Sequence, residues 1–382
     1  MKRIVKFIGV VGLLVFGAGS ANGQQIGKYV PIPAGSDADH ALTEINGTSD
    51  PAQKLALIDK FSSGLGQGDM AIVADDLYVN YYIAQKNYDK AFEYGDKLFA
   101  LDPDSLSNDV NMVRAASEKG DGEKVVAYGE KLPGILQRFK DLPAPAGTEA
   151  EGWQRQKAAT LEGSKDNITY IEQAVFMAEY RTPSPAKRAE LLTNFAQIFP
   201  DSPYANQALG VAATSYQQAQ NIPKMLEVAN GLLTKDPNNI GMLLLFSDYY
   251  SEKGEQLDKA ESSAKKAITL LGSAQKPQGV TDEQWQQQVS LQKGLALSAL
   301  GQVNIEKKDN AHAVENFEAA APLLKPNEGS YGRNQYRLGF ALLNLKRNAE
   351  AKVAFTQSAS VNSAYKPLAQ AKLKTFVSAS KH

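Results

Sequence analysis

The sequence predicts an all-α fold, a solenoid of antiparallel helix hairpins. Lys90, Tyr94, Gly95, Lys97 and Leu98 recur as Lys124, Tyr128, Gly129, Lys131 and Leu132, each 34 residues later. A period in this range is that of a stacked supersecondary unit. Apolar residues run at spacings of three and four through both copies, which puts them on one helix face, and Asn, Asp, Gly and Pro fall where hairpin turns are needed. A unit of this size buries too little apolar surface to offset the entropy of ordering it. Neighbours must therefore share one core, leaving a long concave face on the stack.

Residues 1–23 combine a basic start (Lys2, Arg3, Lys6), an uncharged apolar run over 7–16 and a small-residue stretch, the pattern of a secretory signal. A bilayer span needs about 20 apolar residues, and this run is shorter. Cleavage is expected after Gly23, with Ala21 an alternative, leaving Gln24 to lead. The chain has no cysteine, so neither a lipoprotein anchor nor a disulfide is available. The expected product is soluble after export, periplasmic or secreted, and the lysine-led signal points to a bacterial source. Removing three of 41 basic residues and none of 42 acidic ones leaves 38 − 42 = −4. That charge, with no basic block, disfavours nucleic acid as a partner.

Residues 24–48, with Pro31, Pro33, Gly35 and Ser36, read as a flexible leader. From 49 to 140 come a lead-in helix and the first hairpins. Ser49-Asp50-Pro51 supplies cap residues and a proline at the first helical position; Leu57, Phe61 and Leu65 line one face, and Gly64, Gly66 and Gly68 end it. The next helix carries Leu77, Tyr78, Tyr81 and Tyr82, turns at Lys86-Asn87-Tyr88, and returns over 89–101 to close at Asp102-Pro103. A second hairpin runs through Val110 to the turn Lys119-Gly120-Asp121, and its return helix is expected from Glu123 toward Phe139. Residues 141–152 read as a loop insertion, 153–271 as middle hairpins, 272–282 as a second insertion, 283–376 as C-terminal hairpins and 377–382 as a tail.

These units resemble the tetratricopeptide repeat family, which places a small residue in the first helix, an alanine twelve residues on where the helices cross, and a closing proline. Leu338-Gly339 is followed by Ala351 and Phe355, and Leu300-Gly301 by Ala313, Phe317 and Ala320. Tyr82 precedes Ala91 and Pro103; Tyr216 precedes Leu232 and Pro237; Tyr250 precedes Ala260, Ala264 and Ala267; a weaker unit spans 170–199. Small side chains suit a crossing of helices about 8–10 Å apart. Val125 and Met225 depart from the family's alanine. The resemblance covers about 300 residues from near 70 to near 376, and implies a right-handed superhelical solenoid that binds protein or peptide in its groove. It does not imply capture of a terminal carboxylate, because Asp76 stands where that subtype carries lysine.

Pro145, Gly147, Glu151, Trp153, Gln154 and Gln156 reappear 132 residues on as Pro277, Gly279, Glu283, Trp285, Gln286 and Gln288. Both tryptophans either pack a helix start against the preceding unit or stand on a rim as twin aromatic contacts, indole being common in binding hot spots.

Catalytic chemistry is poorly provided for. His40, His312 and His382 are the only imidazoles, and the zinc spacings, the nucleophile elbow and the phosphate-cradling loop are missing. Asp102-Pro103-Asp104 with Asn108-Asp109 suggests calcium superficially, but lacks the glycine and bidentate glutamate of an EF-hand, and reads as a hairpin turn. Asn46-Gly47-Thr48 and Asn167-Ile168-Thr169 match glycan-acceptor spacing by chance in a bacterial chain. The sequence predicts no enzyme, no cofactor and no metal.

Function is expected on the groove face of the first helices: Asp76 and Asn80, Arg114, Thr214 and Gln217, Asp248, Gln302, and Arg333 with Tyr336. Such a mixed polar face suits hydrogen bonding along an extended peptide or protein segment. The expected role is a non-catalytic scaffold of the cell envelope; a glycan- or small-ligand-binding solenoid using Trp153 and Trp285 is the alternative.

Overall fold

The structure is a computed structural model and describes residues 25–277 and 279–379. The signal sequence, His382 and most of the residues beyond 376 whose side chains would define the tail lie outside what is described. Among the described residues the chain forms nineteen α-helices and no strand. It divides into two compact units, the division falling after Ala208.

The first unit contains α1 (Asp37–Gly47), α2 (Pro51–Gly64), α3 (Met70–Ala84), α4 (Tyr88–Leu101), α5 (Leu106–Lys119), α6 (Gly122–Gly129), α7 (Leu132–Asp141), α8 (Ala150–Gly163), α9 (Lys165–Tyr180) and α10 (Pro185–Ile198). The division falls inside α11 (Ala205–Gln218). The second unit continues with α12 (Ile222–Lys235), α13 (Ile240–Lys253), α14 (Leu257–Ser273), α15 (Asp282–Glu306), α16 (Asn310–Leu324), α17 (Glu328–Asn344), α18 (Asn348–Ser360) and α19 (Lys366–Ala379). Successive helices pack as pairs, α3 on α4, α5 on α6, α9 on α10, α13 on α14, α15 on α16 and α17 on α18. Each pair also packs on a neighbour, α4 on α5, α6 on α9, α14 on α15 and α16 on α17, so the core is shared from hairpin to hairpin.

One turn chemistry recurs within the hairpins. The residue before the second helix's N-cap has positive φ in Lys86, Gly120, Gln220 and Lys308. The N-cap N–H then reaches back five residues, Asn87 to Tyr82 O, Asp121 to Ala116 O, Asn221 to Tyr216 O and Asp309 to Asn304 O, all at 2.8–2.9 Å. This closes the first helix as a Schellman cap. The same residue's side chain accepts the N–H three positions on, opening the second helix. Two residues thus stop one helix and start the next.

The crossings are set by glycine. A Cβ on Gly301 would lie 2.6 Å from the Phe317 ring, and one on Gly339 would lie 2.7 Å from Phe355. Ala313 and Ala351 beside them are fully buried. Asn334 Nδ2 donates to Phe317 O and Asn108 Nδ2 to Gly95 O, both at 2.9 Å, tying a first helix to the second helix before it.

Two expectations need correction. The leader is not wholly irregular: Ser36 caps α1, whose Ala38, Ala41, Leu42 and Ile45 fall at helical spacing and join the cluster around Ile58, Phe61 and Tyr78. The prolines and Gly35 masked that spacing. Upstream, Ile26 is also buried. The return helix from Glu123 toward Phe139 is two helices, broken between Gly129 and Leu132, because Pro133 lacks the N–H that a continuous helix requires. The Gln-rich start at Trp285 and the Leu300-Gly301 crossing belong to one 25-residue helix, α15, opened by a capping box of Thr281 and Gln284.

Gly339→Ala gains about 1 kcal/mol of helix propensity but overpacks a fixed ring at a cost of about 1–3 kcal/mol, so chemical denaturation is expected to show net destabilisation. Gly231→Ala in α12 meets nothing within 4 Å and is expected to stabilise by up to about 1 kcal/mol. Equal effects at the two positions would show that the glycine crossing does not set the packing.

Candidate functional site

A first helix flanked by its own hairpin partner and by the previous hairpin keeps only a narrow stripe in water. In α5, Arg114 is exposed while Met112, Val113, Ala115 and Ala116 are buried. In α11, Thr214 is exposed between buried Ala212, Ala213, Ser215 and Tyr216 in the same phase. Gln217, one turn on, is half-buried. In α3, Asn80 is exposed and donates through Nδ2 to the Asp76 carboxylate at 3.0 Å and to Asp76 O at 2.8 Å. Desolvation raises the half-buried Asp76 carboxyl to about 6, the Asn80 donor offsetting part of the rise.

The second unit's candidates are largely engaged with one another. Arg333 of α17 forks onto Asp248 of α13, Nη2 to Oδ1 at 2.7 Å and Nη1 to Oδ2 at 3.2 Å. Arg337, one turn later and almost fully buried, pairs with Glu252. Helix α15 packs on both α13 and α17, so these pairs reach past it, and its buried residues are mostly small, Gly294, Ala296, Ser298, Ala299 and Gly301, with Leu300 and Val303 among them. Burial pushes the Arg333 guanidinium down, and Asp248 more than offsets it; Arg337, more deeply buried, is lowered. Arg333 is therefore a structural cross-tie and not an idle ligand donor. Tyr336 is likewise not free, since its ring packs 5.0 Å from Phe340, 5.3 Å from Tyr365 and 5.7 Å from Phe355. Gln302 is half-buried and donates to Glu306 at 2.9 Å.

The tryptophans part company. Trp153 is buried, its indole N–H donating to Leu142 O at 3.0 Å with Lys157 Nζ bonding the same carbonyl. It fastens the 142–149 loop and presents no stacking face, so its reading as a rim aromatic is corrected. Trp285 near the start of α15 is half-buried.

Among the described residues no group of three or more His, Cys, Asp or Glu is placed to hold a metal ion. His40 lies in α1, and His312 lies in α16, where the Asp309 carboxylate 2.6 Å away raises it. The Asp102–Asp109 acids do not converge on a cation: Asp102 accepts backbone N–H groups, Asp104 pairs with Arg138, and Asn108 bonds Gly95 O.

Sequence reasoning missed two buried acids. Neither carboxylate oxygen of Asp109 or of Glu179 has a hydrogen-bond partner. Burial raises Asp109 to about 8 against the pull of Lys131. Burial, then the neighbouring Glu130, raises Glu179 to about 8. An acid inside an apolar helix face was the only available signal, Asp109 beside Val110 and Val113 and Glu179 beside Val175 and Phe176.

Residues 332–365 match the family described as Tetratricopeptide repeat. No curated protein is significantly similar in sequence. Among solved structures, yeast Tom70 aligns at a TM-score of 0.33 and 11% identity, covering 90% of this chain and 94% of that one. The apo form of the quorum sensor NprR from B. thuringiensis aligns at 0.28 and 13% identity, covering 85% and 74%. The P58(IPK) TPR domain aligns at 0.25 and 13% identity, covering 90% and 99%. The matched repeat is α17, α18 and the turn after them, the hairpin in which Gly339 meets Phe355.

Two outcomes follow from these electrostatics. Removing either Asp248 or Arg333 by alanine substitution is expected to destabilise the second unit, and a double-mutant cycle to return a coupling of about 1–2 kcal/mol; zero coupling would mean the fork is incidental. Between about pH 4 and 8 the folded chain keeps protons on Asp109 and Glu179 that the unfolded chain has released. Stability is therefore present below that window and falls as pH rises through it. Thermal melting should show this decline, and Asp109→Asn with Glu179→Gln should flatten it.

Proposed function

We propose that this chain is a non-catalytic interaction scaffold of the tetratricopeptide-repeat kind, acting after export in a bacterial cell envelope and holding a protein or extended peptide by the exposed polar side chains of its first helices. The observation that carries this reading is the phase of Arg114 and Thr214, each a single exposed polar side chain in an otherwise buried first-helix segment. With Asn80 exposed on α3, α3 and α5 of the first unit offer hydrogen-bonding groups of more than one kind, and α11 offers another in its own right. That suits recognition distributed along a polypeptide better than capture of a compact ligand. The match of residues 332–365 to the repeat family agrees with it. Assembly or upkeep of envelope complexes is the role we assign, with no cofactor.

Export rests on residues 1–23, and no helix among the described residues is long and apolar enough to cross a membrane. The glycan-binding alternative loses its paired platform, because Trp153 is buried against Leu142.

Affinity capture from envelope extract tests the reading. The protein is compared with a variant carrying Asn80→Lys, Arg114→Glu and Thr214→Lys, all at exposed positions. The wild type is expected to retain a discrete set of proteins that the variant loses while keeping its melting temperature. Equal capture by both would overturn the placement of the binding stripe.

A further inference from the structure

The turn after α4 already holds a peptide. Residues 25–28 lie across it, with Ile26 buried. Leu106 N–H donates to Ile26 O at 3.2 Å, Lys28 N–H to Asp102 Oδ2 at 2.8 Å, and Lys28 Nζ to Leu101 O at 2.7 Å. Gly27 has φ +120°, and a Cβ there would lie 2.7 Å from Asp102 Oδ2 and 3.0 Å from Ser105 Cα. The seat thus selects an aliphatic residue, then glycine, then a basic residue whose ammonium reaches a helix C-terminal carbonyl.

The same corner recurs 134 residues later. Leu101-Asp102-Pro103-Asp104-Ser105-Leu106 corresponds to Lys235-Asp236-Pro237-Asn238-Asn239-Ile240. The C-caps have φ/ψ of −137/85° at Asp102 and −132/91° at Asp236, and the N-caps −69/98° at Ser105 and −63/99° at Asn239. Asp102 Oδ1 accepts Asp104 N–H, as Asp236 Oδ1 accepts Asn238 N–H. A basic side chain bonds the proline carbonyl in each, Arg138 on Pro103 O and Lys266 on Pro237 O. What differs is the occupant. Asp102 and Leu106 are buried under residues 25–28, whereas Asp236 is exposed and Ile240 half-buried. Among the described residues Asp236 Oδ2 and Ile240 N–H, the counterparts of the two atoms that hold the segment, carry no hydrogen bond.

We propose that the Asp236–Ile240 corner is a second peptide seat, which takes a segment of the pattern aliphatic-Gly-basic, bent at its glycine, from another protein. Its Ile240 N–H takes the carbonyl of the aliphatic residue, its Asp236 carboxylate takes the N–H of the basic residue, and its Lys235 carbonyl takes the ammonium. Two independent observations point to this ligand: the repeated backbone, and the chain's own segment bound by the matching atoms. The seat uses none of the first-helix stripe residues and does not depend on the groove reading.

The test is a fluorescent peptide with the sequence of residues 24–30, Gln-Gln-Ile-Gly-Lys-Tyr-Val, titrated into the protein and read by anisotropy. Saturable binding to one site is expected, weakened by about tenfold or more in Asp236→Ala, which loses the charged acceptor. Ile240→Pro should do the same, deleting the donor N–H at a position where a helix start tolerates proline. A peptide with alanine in place of its glycine should fail to bind. The double substitution Ile26→Ser and Gly27→Val, by unseating the resident segment, should add a second site that Asp102→Ala then removes. No saturable binding, or binding indifferent to Asp236→Ala, Ile240→Pro and the alanine peptide, would overturn the proposal.

Discussion

Several helix crossings among the described residues depend on a side chain that is not there. Where Gly301 faces Phe317 and Gly339 faces Phe355, the ring of the second helix occupies the volume a Cβ would need. Gly95 does the same for Met112, and Gly129 for Val175. The close approach brings flanking alanines into contact and lets each first helix be covered on two sides. Dispersion gained this way is small for each atom pair and large for a whole seam. It also leaves few first-helix positions in water. A narrow polar stripe is a geometric consequence of close crossing, and the side chains on that stripe need not serve packing.

Polar groups inside such a stack meet one of two ends. Some are tied off within the fold, as when Asn108 and Asn334 bond carbonyls of the preceding helix, or when Arg333 forks onto Asp248. Others are buried and left without partners, as Asp109 and Glu179 are. The second kind costs stability whenever the carboxyl is charged, since no hydrogen bond offsets the loss of water and, at Asp109, the pull of Lys131 offsets only part of it. A shared core makes such a cost tolerable, because each hairpin that carries it is also held by packing on its neighbours.

What was legible in the sequence followed from distance along the chain. Gly339, Ala351 and Phe355 stand at separations of twelve and sixteen, and a hairpin must bring such positions together whatever lies elsewhere. Turn residues such as Asn87 and Asp121 act on atoms within five positions, so their role was visible too. Long-range pairings were not. Arg333 looked like a free cation because its partner is 85 residues away, and Tyr336 looked like a ligand contact because Tyr365 and Phe355 belong to later elements. The helix at Asp37 was hidden by its proline-rich preface, and the break at Pro133 by a strong 34-residue correspondence that ran straight over it. Trp153 shared its motif with Trp285, yet a motif does not say whether an indole faces Leu142 or water.

Repetition gives a backbone the same shape twice without requiring the same use. The Asp-Pro corner after α4 and the one after α12 agree in their dihedral angles and in the hydrogen bonds made inside the turn. Those bonds are local, and any sequence with aspartate, proline and a capping residue at these spacings will make them. They consume one carboxylate oxygen and leave the other pointing out, next to a helix N-terminus whose first N–H has no intrahelical acceptor. An anionic oxygen beside an unused donor is an acceptor–donor pair spaced for one residue of backbone, bent at a glycine in the first unit. In the first unit the chain fills that pair with its own residues 26–28 and buries Asp102 in doing so. Asp236 remains exposed. Water can satisfy both of its corner's free groups, so the fold does not need it filled, and a feature the fold does not need is free to be used for recognition.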